Sequence, residues 1–190
     1  MVRRRLDDFN AQNLSNTAWA FATAGHLSTV LFSAIAAEVM CRQLGDLNAR
    51  SLSNTAWAFA KAGHASPELF NAIAAEAVRR RLDDLNAQNL STTAWAFATA
   101  GRASPELFDA IAAEAVCRRL GGFNEQDLSN TAWAFATADH LSTELFKAIS
   151  TEVVRRGLND FNPQHLSNTA WRSPRRTSCR RSSSRPSQLR

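Results

Sequence analysis

The chain has 190 residues, with 22 Lys and Arg, 17 Asp and Glu, and a formal net charge of +5 at pH 7. Residues 172–190 hold seven of the Arg and no acid. Residues 1–171 therefore carry 15 basic and 17 acidic groups, and a net of −2 makes no global electrostatic case for nucleic acid.

The opening MVRRRLDDFN has a basic run with no apolar segment after it, so no signal peptide is expected. It starts within a repeat, which suggests a truncated array. Residues 9–37 contain no Asp, Glu, Lys or Arg, but Ser, Asn, Thr and the break at Gly25–His26–Leu27–Ser28 interrupt them. Neither half is long enough to cross a bilayer, and no membrane partner is expected. Cys41, Cys117 and Cys179 form no CxxC and no even framework. That argues against a disulfide scaffold or a zinc module, and for a reducing compartment.

Trp occurs at 19, 57, 95, 133 and 171, a spacing of 38 each time. Around it LSNTAWAFATAGH returns as LSNTAWAFAKAGH, LSTTAWAFATAGR, LSNTAWAFATADH and LSNTAW. Residues 52–89 and 90–127 match at 28 of 38 positions. A fixed period of this size is the signature of a solenoid. The array divides into a partial unit 1–13, full units 14–51, 52–89, 90–127 and 128–165, and a truncated unit 166–171. The predicted fold is all-α, a right-handed-type α-solenoid of stacked antiparallel helix pairs with a 38-residue repeat.

Asn10, Asn48, Asn86, Asn124 and Asn162 each precede an Ala-rich run and read as N-caps. Pro163 suits the first helical position. The first helix of the opening pair is predicted over 11–24, closed by Gly25, with Gly63 and Gly101 as its equivalents. Asp139 replaces that Gly in the fourth unit, where the cap should be weaker. The second helix opens at Ser28, Ser66, Ser104 or Ser142, helped by Pro67–Glu68 and Pro105–Glu106. Phe70, Ile73, Ala74, Ala77 and Val78 form its predicted buried stripe, and it ends near Arg79–Arg81. Connections of four to six residues are expected. On the first helix Leu14, Thr17, Ala18, Phe21 and Ala22 share one face. Gln12, Asn16, Trp19 and Thr23 cluster opposite.

Several residues invite a chemical role. His26, His64 and His140 fall in the same turn of three of the four full units, neighbouring turns being about 10 Å apart on stacking, which is too far to share a metal. Glu38–Arg42, Glu76–Arg80, Glu114–Arg118 and Glu152–Arg156 read as i, i+4 ion pairs, although the Arg doublets could also form a basic ridge. The Trp residues read as packing between units, with a stacking platform for bases as the alternative. Trp57 and Trp95 are thus expected to be buried. The polar face offers Gln12, Asn16, Thr23; Arg50, Asn54, Lys61; Gln88, Thr92, Thr99; and Gln126, Asn130, Thr137. These could read base edges, one unit per base, with Arg50, Lys61 and Arg102 holding phosphates. They could equally be an ordinary solvated face. There is no phosphate loop, no HExxH and no Ser-His-Asp set. No catalytic residue, metal or cofactor is expected, and the chain reads as non-enzymatic.

FNAQNLSNTAWAFATAG, with FNPQHLSNTAW at 161–171, resembles the helical repeats of octotricopeptide and RAP-domain proteins over residues 2–171. The resemblance implies an α-solenoid that binds single-stranded RNA in a chloroplast or mitochondrion, in RNA maturation, stability or translation. The alternative is a protein-interaction scaffold, with a cytoplasmic location if no organelle is involved. Residues 172–190 are expected to be a disordered basic tail. The repeat stops abruptly at Trp171, and one restored nucleotide there lets the same residues be read as WAFATADILSPELFKAISTE. That string differs from residues 133–152 at two of twenty positions. The tail therefore reads as a frameshifted fifth unit.

Overall fold

The computed structural model describes residues 9–42, 44–82 and 84–157. The Asn162–Pro163 cap, Trp171 and the Arg-rich tail lie outside the described residues. Within them are eight α-helices and no strand. These are α1 (Ala11–Thr23), α2 (Thr29–Cys41), α3 (Ala49–Lys61), α4 (Pro67–Arg79), α5 (Ala87–Thr99), α6 (Pro105–Cys117), α7 (Glu125–Thr137) and α8 (Thr143–Arg156). The turns within a pair take five residues, as at 62–66. Those between pairs take seven, as at 80–86, longer than expected.

The caps explain why the helices start where they do. The Asn10, Asn48, Asn86 and Asn124 side chains each accept a backbone N–H three residues on, all at 2.8 Å. Asp127 answers Asn124 from the other side, completing a capping box on α7. The structural unit therefore begins at the Asn cap, four residues before the phase drawn from the repeat. Ser28, Ser66, Ser104 and Ser142 cap the even-numbered helices in the same way.

Gly63 and Gly101 sit at φ +64° and +62°, where the chain leaves its helix in a left-handed residue. Asp139 is held at φ 57° in the equivalent place, and its N–H reaches the Ala136 carbonyl at 3.4 Å, against 3.1 Å for Gly63 and Gly101. A Cβ is strained at such an angle by roughly 1–2 kcal/mol. Asp139→Gly is therefore expected to stabilise the chain by about 1 kcal/mol in urea unfolding. An unchanged midpoint would show that the Asp side chain offsets the strain.

The odd-numbered helices lie against one another along their whole lengths, α1 on α3, α3 on α5 and α5 on α7. The even-numbered helices meet their own kind sparsely. Small residues permit the close layer: Ala56, Ala58 and Ala60 of α3, and Ala94, Ala96 and Ala98 of α5, are all buried. A tight layer beside a splayed one bends the stack, with the odd-numbered helices on the inner side. Buried hydroxyls tie this inner layer. Ser15 Oγ donates to the Ser51 carbonyl at 3.1 Å, Asn89 Nδ2 to Ser53 Oγ at 3.1 Å, and Ser91 Oγ to Asp127 Oδ1 at 3.0 Å.

The core runs between the layers. Leu69, Phe70, Ile73, Ala74 and Ala77 are buried on α4. Val78, expected in that stripe, faces out, and Leu69 takes the inward place. Leu14, Ala18 and Ala22 are buried on α1, but Thr17 is half-buried and Phe21 is 38% exposed. The equivalent Phe59, Phe97 and Phe135 are buried, because each meets the even-numbered helix of the preceding pair. Among the described residues no such helix precedes α1.

All four expected Glu–Arg pairs form, at 2.5 Å for Arg42 and Arg80 and 2.7 Å for Arg156, with Glu114–Arg118 alongside. The same Arg does more. Arg80 also donates to the carbonyls of Leu47 at 2.6 Å, Gly45 at 2.8 Å and Leu44 at 2.9 Å. Arg118 donates to Leu85 and Leu82, and Arg156 to Phe123. Each guanidinium thus clamps the end of an even-numbered helix to the turn that enters its odd-numbered partner. The ion-pair reading holds, with backbone carbonyls added to it. The other Arg of two doublets, Arg79 and Arg155, is exposed and paired to Glu76 and Glu152.

Candidate functional site

The inner surface of the stack is built by one face of each odd-numbered helix. At 100° per residue, positions 12, 16, 19 and 23 of α1 share that face, and the 38-residue period repeats them on α3, α5 and α7. Because these helices lie side by side, equivalent positions form rows across the array. The Trp row is continuous. Trp19–Trp57, Trp57–Trp95 and Trp95–Trp133 have ring centroids 6.2, 6.3 and 6.2 Å apart and ring planes tilted by 33°, 30° and 29°.

The expectation that Trp57 and Trp95 are buried is corrected here. Both are half-buried, and Trp19 is 45% exposed. Each ring packs on the ring of the next unit and keeps part of its surface open to the groove. The physical reason is their angular position, on the polar side of the helix rather than the side of Leu14 and Ala18. Packing between units and an open aromatic platform are therefore both properties of the same row.

Two adjoining cavities run beside the ladder. One, of about 650 Å³, is lined by Asn16, Trp19, Ala20, Arg50, Asn54, Asn86, Gln88, Asn89 and Thr92. The other, of about 390 Å³, is lined by Trp19, Asn54, Trp57, Lys61, Gln88, Thr92, Trp95, Gln126 and Asn130. They share Trp19, Asn54, Gln88 and Thr92, so they form one groove. Among the described residues the lining contains amides, one hydroxyl, three Trp and two cations, and no carboxylate. A surface of this kind offers paired donors and acceptors, flat apolar faces and a local positive field. That field comes from Arg50 and Lys61 alone, since the equivalent positions in the other units hold Gln12, Gln88, Gln126 and Thr23, Thr99, Thr137.

Eight of the ten residues singled out from sequence line this groove: Asn16, Arg50, Asn54, Lys61, Gln88, Thr92, Gln126 and Asn130. Gln12 is exposed in the first turn of α1, outside both linings. Arg102 is exposed in the α5–α6 turn, also outside them. It stands near the start of α4, where the Glu68 carboxyl is held below its ordinary value. The causes are a backbone N–H first, then the Ser66 hydroxyl, and more weakly the Arg102 charge. Sequence reasoning did not place Asn86 and Asn89 at the groove: Asn86 was read as a cap, and the position of Asn89 holds Ser51 and Asp127 in the neighbouring units, so no unbroken recurrence marked it.

The turn histidines link neighbouring units. His64 Nε2 and Ser33 Oγ share a hydrogen bond at 3.2 Å, and His140 Nε2 pairs with Asp109 Oδ1 at 2.8 Å. His26 is exposed. Among the described residues no His, Cys, Asp and Glu cluster could hold a metal ion, and no helix is long and apolar enough to cross a membrane.

A family model described as RNA-editing substrate-binding complex 6 protein matches residues 4–156, which include all eight helices. No curated protein matches the chain.

Proposed function

This chain belongs to the family of the RNA-editing substrate-binding complex 6 protein, and from that premise we propose that it is a non-enzymatic module binding single-stranded RNA along its inner groove. The observation that carries the reading is the Trp ladder set beside a row of amides with no carboxylate in the lining. Open Trp faces accept any base, and stacking on an aromatic side chain is worth about 1–3 kcal/mol per base. Asn16, Asn54, Thr92 and Asn130, one per unit, offer hydrogen bonds to base edges, and single-stranded RNA exposes those edges. Arg50 and Lys61 supply the phosphate contacts. The likeness to octotricopeptide and RAP-domain repeats supports placing the activity in a chloroplast or mitochondrion, in RNA maturation, stability or translation.

A second reading, a protein-interaction scaffold on the same surface, is favoured by the near-neutral charge of residues 1–171. Salt separates the two. Two phosphates neutralised on a single strand give a slope of log K against log salt of about −1.4, beyond any contribution from the tail. Arg50→Gln with Lys61→Thr installs the residues found at these positions in the next unit, so the fold should be undisturbed. We expect a drop in affinity for single-stranded RNA of about tenfold, and a slope shallower by about 1.4. Unchanged affinity and slope in the double variant would remove the groove from RNA binding.

A further inference from the structure

Besides its Trp pair, each junction between units carries one Phe–Phe pair. Phe32 of α2 meets Phe59 of α3 edge-on at 5.1 Å, Phe70 meets Phe97 at 4.9 Å, and Phe108 meets Phe135 at 4.9 Å. The partners are always 27 residues apart. Phe32, Phe70 and Phe108 are fully buried as a result. Phe146 holds the same position on α8, yet it is only half-buried. The residue 27 positions on is Ser173. Further along α8, Val153 is half-buried where Val39, Ala77 and Ala115 are buried, and Val154 is 79% exposed. Among the described residues, the end of the α7–α8 pair is therefore a junction surface without its aromatic complement.

The sequence contains that complement in another frame. The motif LSNTAW is intact at 166–171, then the repeat vanishes at Arg172. When one G is restored after a Trp codon, each following codon takes its last two bases from the first two bases of the residue now read. Only its first base comes from the variable third position. The observed residues, from Arg172 onward, then permit AFATADILSPELFKAISTE. With Trp171, that matches residues 133–152 at eighteen of twenty positions. Pro, Thr, Cys and Gln fix those two bases, and Arg, Ser and Leu leave two choices for them, so only a minority of amino acids is permitted at each position and agreement on this scale does not come from a free choice of synonyms. The restored frame puts phenylalanine at position 173, the place that Phe146 requires. It also brings back Ser-Pro-Glu, the helix start seen at Ser66–Glu68 and Ser104–Glu106.

We propose that the exposed end of the α7–α8 pair is the seat of a fifth helix pair of this same array, encoded one nucleotide out of frame from codon 172. The seat and the occupant are recognised independently, one from Phe146 and its neighbours and the other from the codons. The fifth unit also continues the groove rows in sequence, with Gln164, Asn168 and Trp171 in the positions of Gln126, Asn130 and Trp133. The basic character of residues 172–190 is then a by-product of the frame rather than a designed arm.

Two measurements test this. Sequencing the genomic DNA and the transcript across codon 171 is expected to show third bases that spell the repeat in the restored frame. Third bases that break the repeat would overturn the coding half. Thermal unfolding of the full present chain against the restored-frame chain tests the seat. The restored chain is expected to melt higher by at least about 5 °C. Phe146→Ala should lower the midpoint of the restored chain clearly and that of the present chain little. Equal midpoints for the two chains, or an equal effect of Phe146→Ala in both, would show that the fifth pair does not dock there.

Discussion

Phe97→Ala is expected to destabilise the array by about 3–5 kcal/mol in urea unfolding followed by circular dichroism. Phe97 is buried, and its ring meets Phe70 at 4.9 Å across the junction between neighbouring pairs. Truncation removes the area buried by the ring, leaves a cavity and deprives Phe70 of its edge-on neighbour. The molecule supplies its own control. Phe21 occupies the same place in the repeat but is 38% exposed. Phe21→Ala should cost under about 1 kcal/mol, because surface substitutions away from special contacts change little. Equal costs at the two positions would mean that the junctions do not carry the stability of the stack.

Arg80→Ala is the second substitution with a large expected effect, about 3 kcal/mol. It leaves three carbonyls without this donor in a largely buried place and takes from the Glu76 carboxylate one of its two Arg partners, Arg79 remaining. Lys should rescue it only in part, because a point charge does not reproduce a planar fork with donors on three sides. Acid acts on the same cluster. The Glu76 carboxyl is held at about 2, first by the Arg79 hydrogen bond, against the opposing effect of burial, and then by Arg80. Its folded value lies below the ordinary 4.5, so the stabilisation is complete above about pH 4.5 and is lost as pH falls towards 2. In Glu76→Gln that part of the acid sensitivity should be absent. A parent and variant that lose stability in parallel over this window would contradict the clamp.

The helices were legible because their punctuation is local. An Asn cap, a Gly in the left-handed position and a Ser-Pro-Glu start each act within one turn, so residues 11–24 and 66–79 could be bounded before any packing was known. The clamp was half legible. Glu76 and Arg80 stand four residues apart, but the carbonyls of Leu44, Gly45 and Leu47 lie 33–36 residues away and belong to no side chain. The buried hydroxyl ties, such as Ser91 to Asp127, were hidden for the same reason. The Trp row was misjudged through its neighbours. Flanking Ala suggested a core, whereas the angular position beside Asn16 and Thr23 already placed Trp19 on the groove side. Val78 was misplaced because the stripe was drawn one residue too far towards the outer layer.

The most direct test of the RNA-binding account is ultraviolet crosslinking of a single-stranded RNA pool to the intact chain, with the crosslinked peptides mapped. The predicted result is crosslinks on peptides of α3 and α5 that carry Asn54–Lys61 and Thr92–Trp95, reduced when Trp57 and Trp95 are both replaced by Leu. Crosslinks confined to the even-numbered helices or to residues 172–190, and insensitive to that replacement, would contradict it.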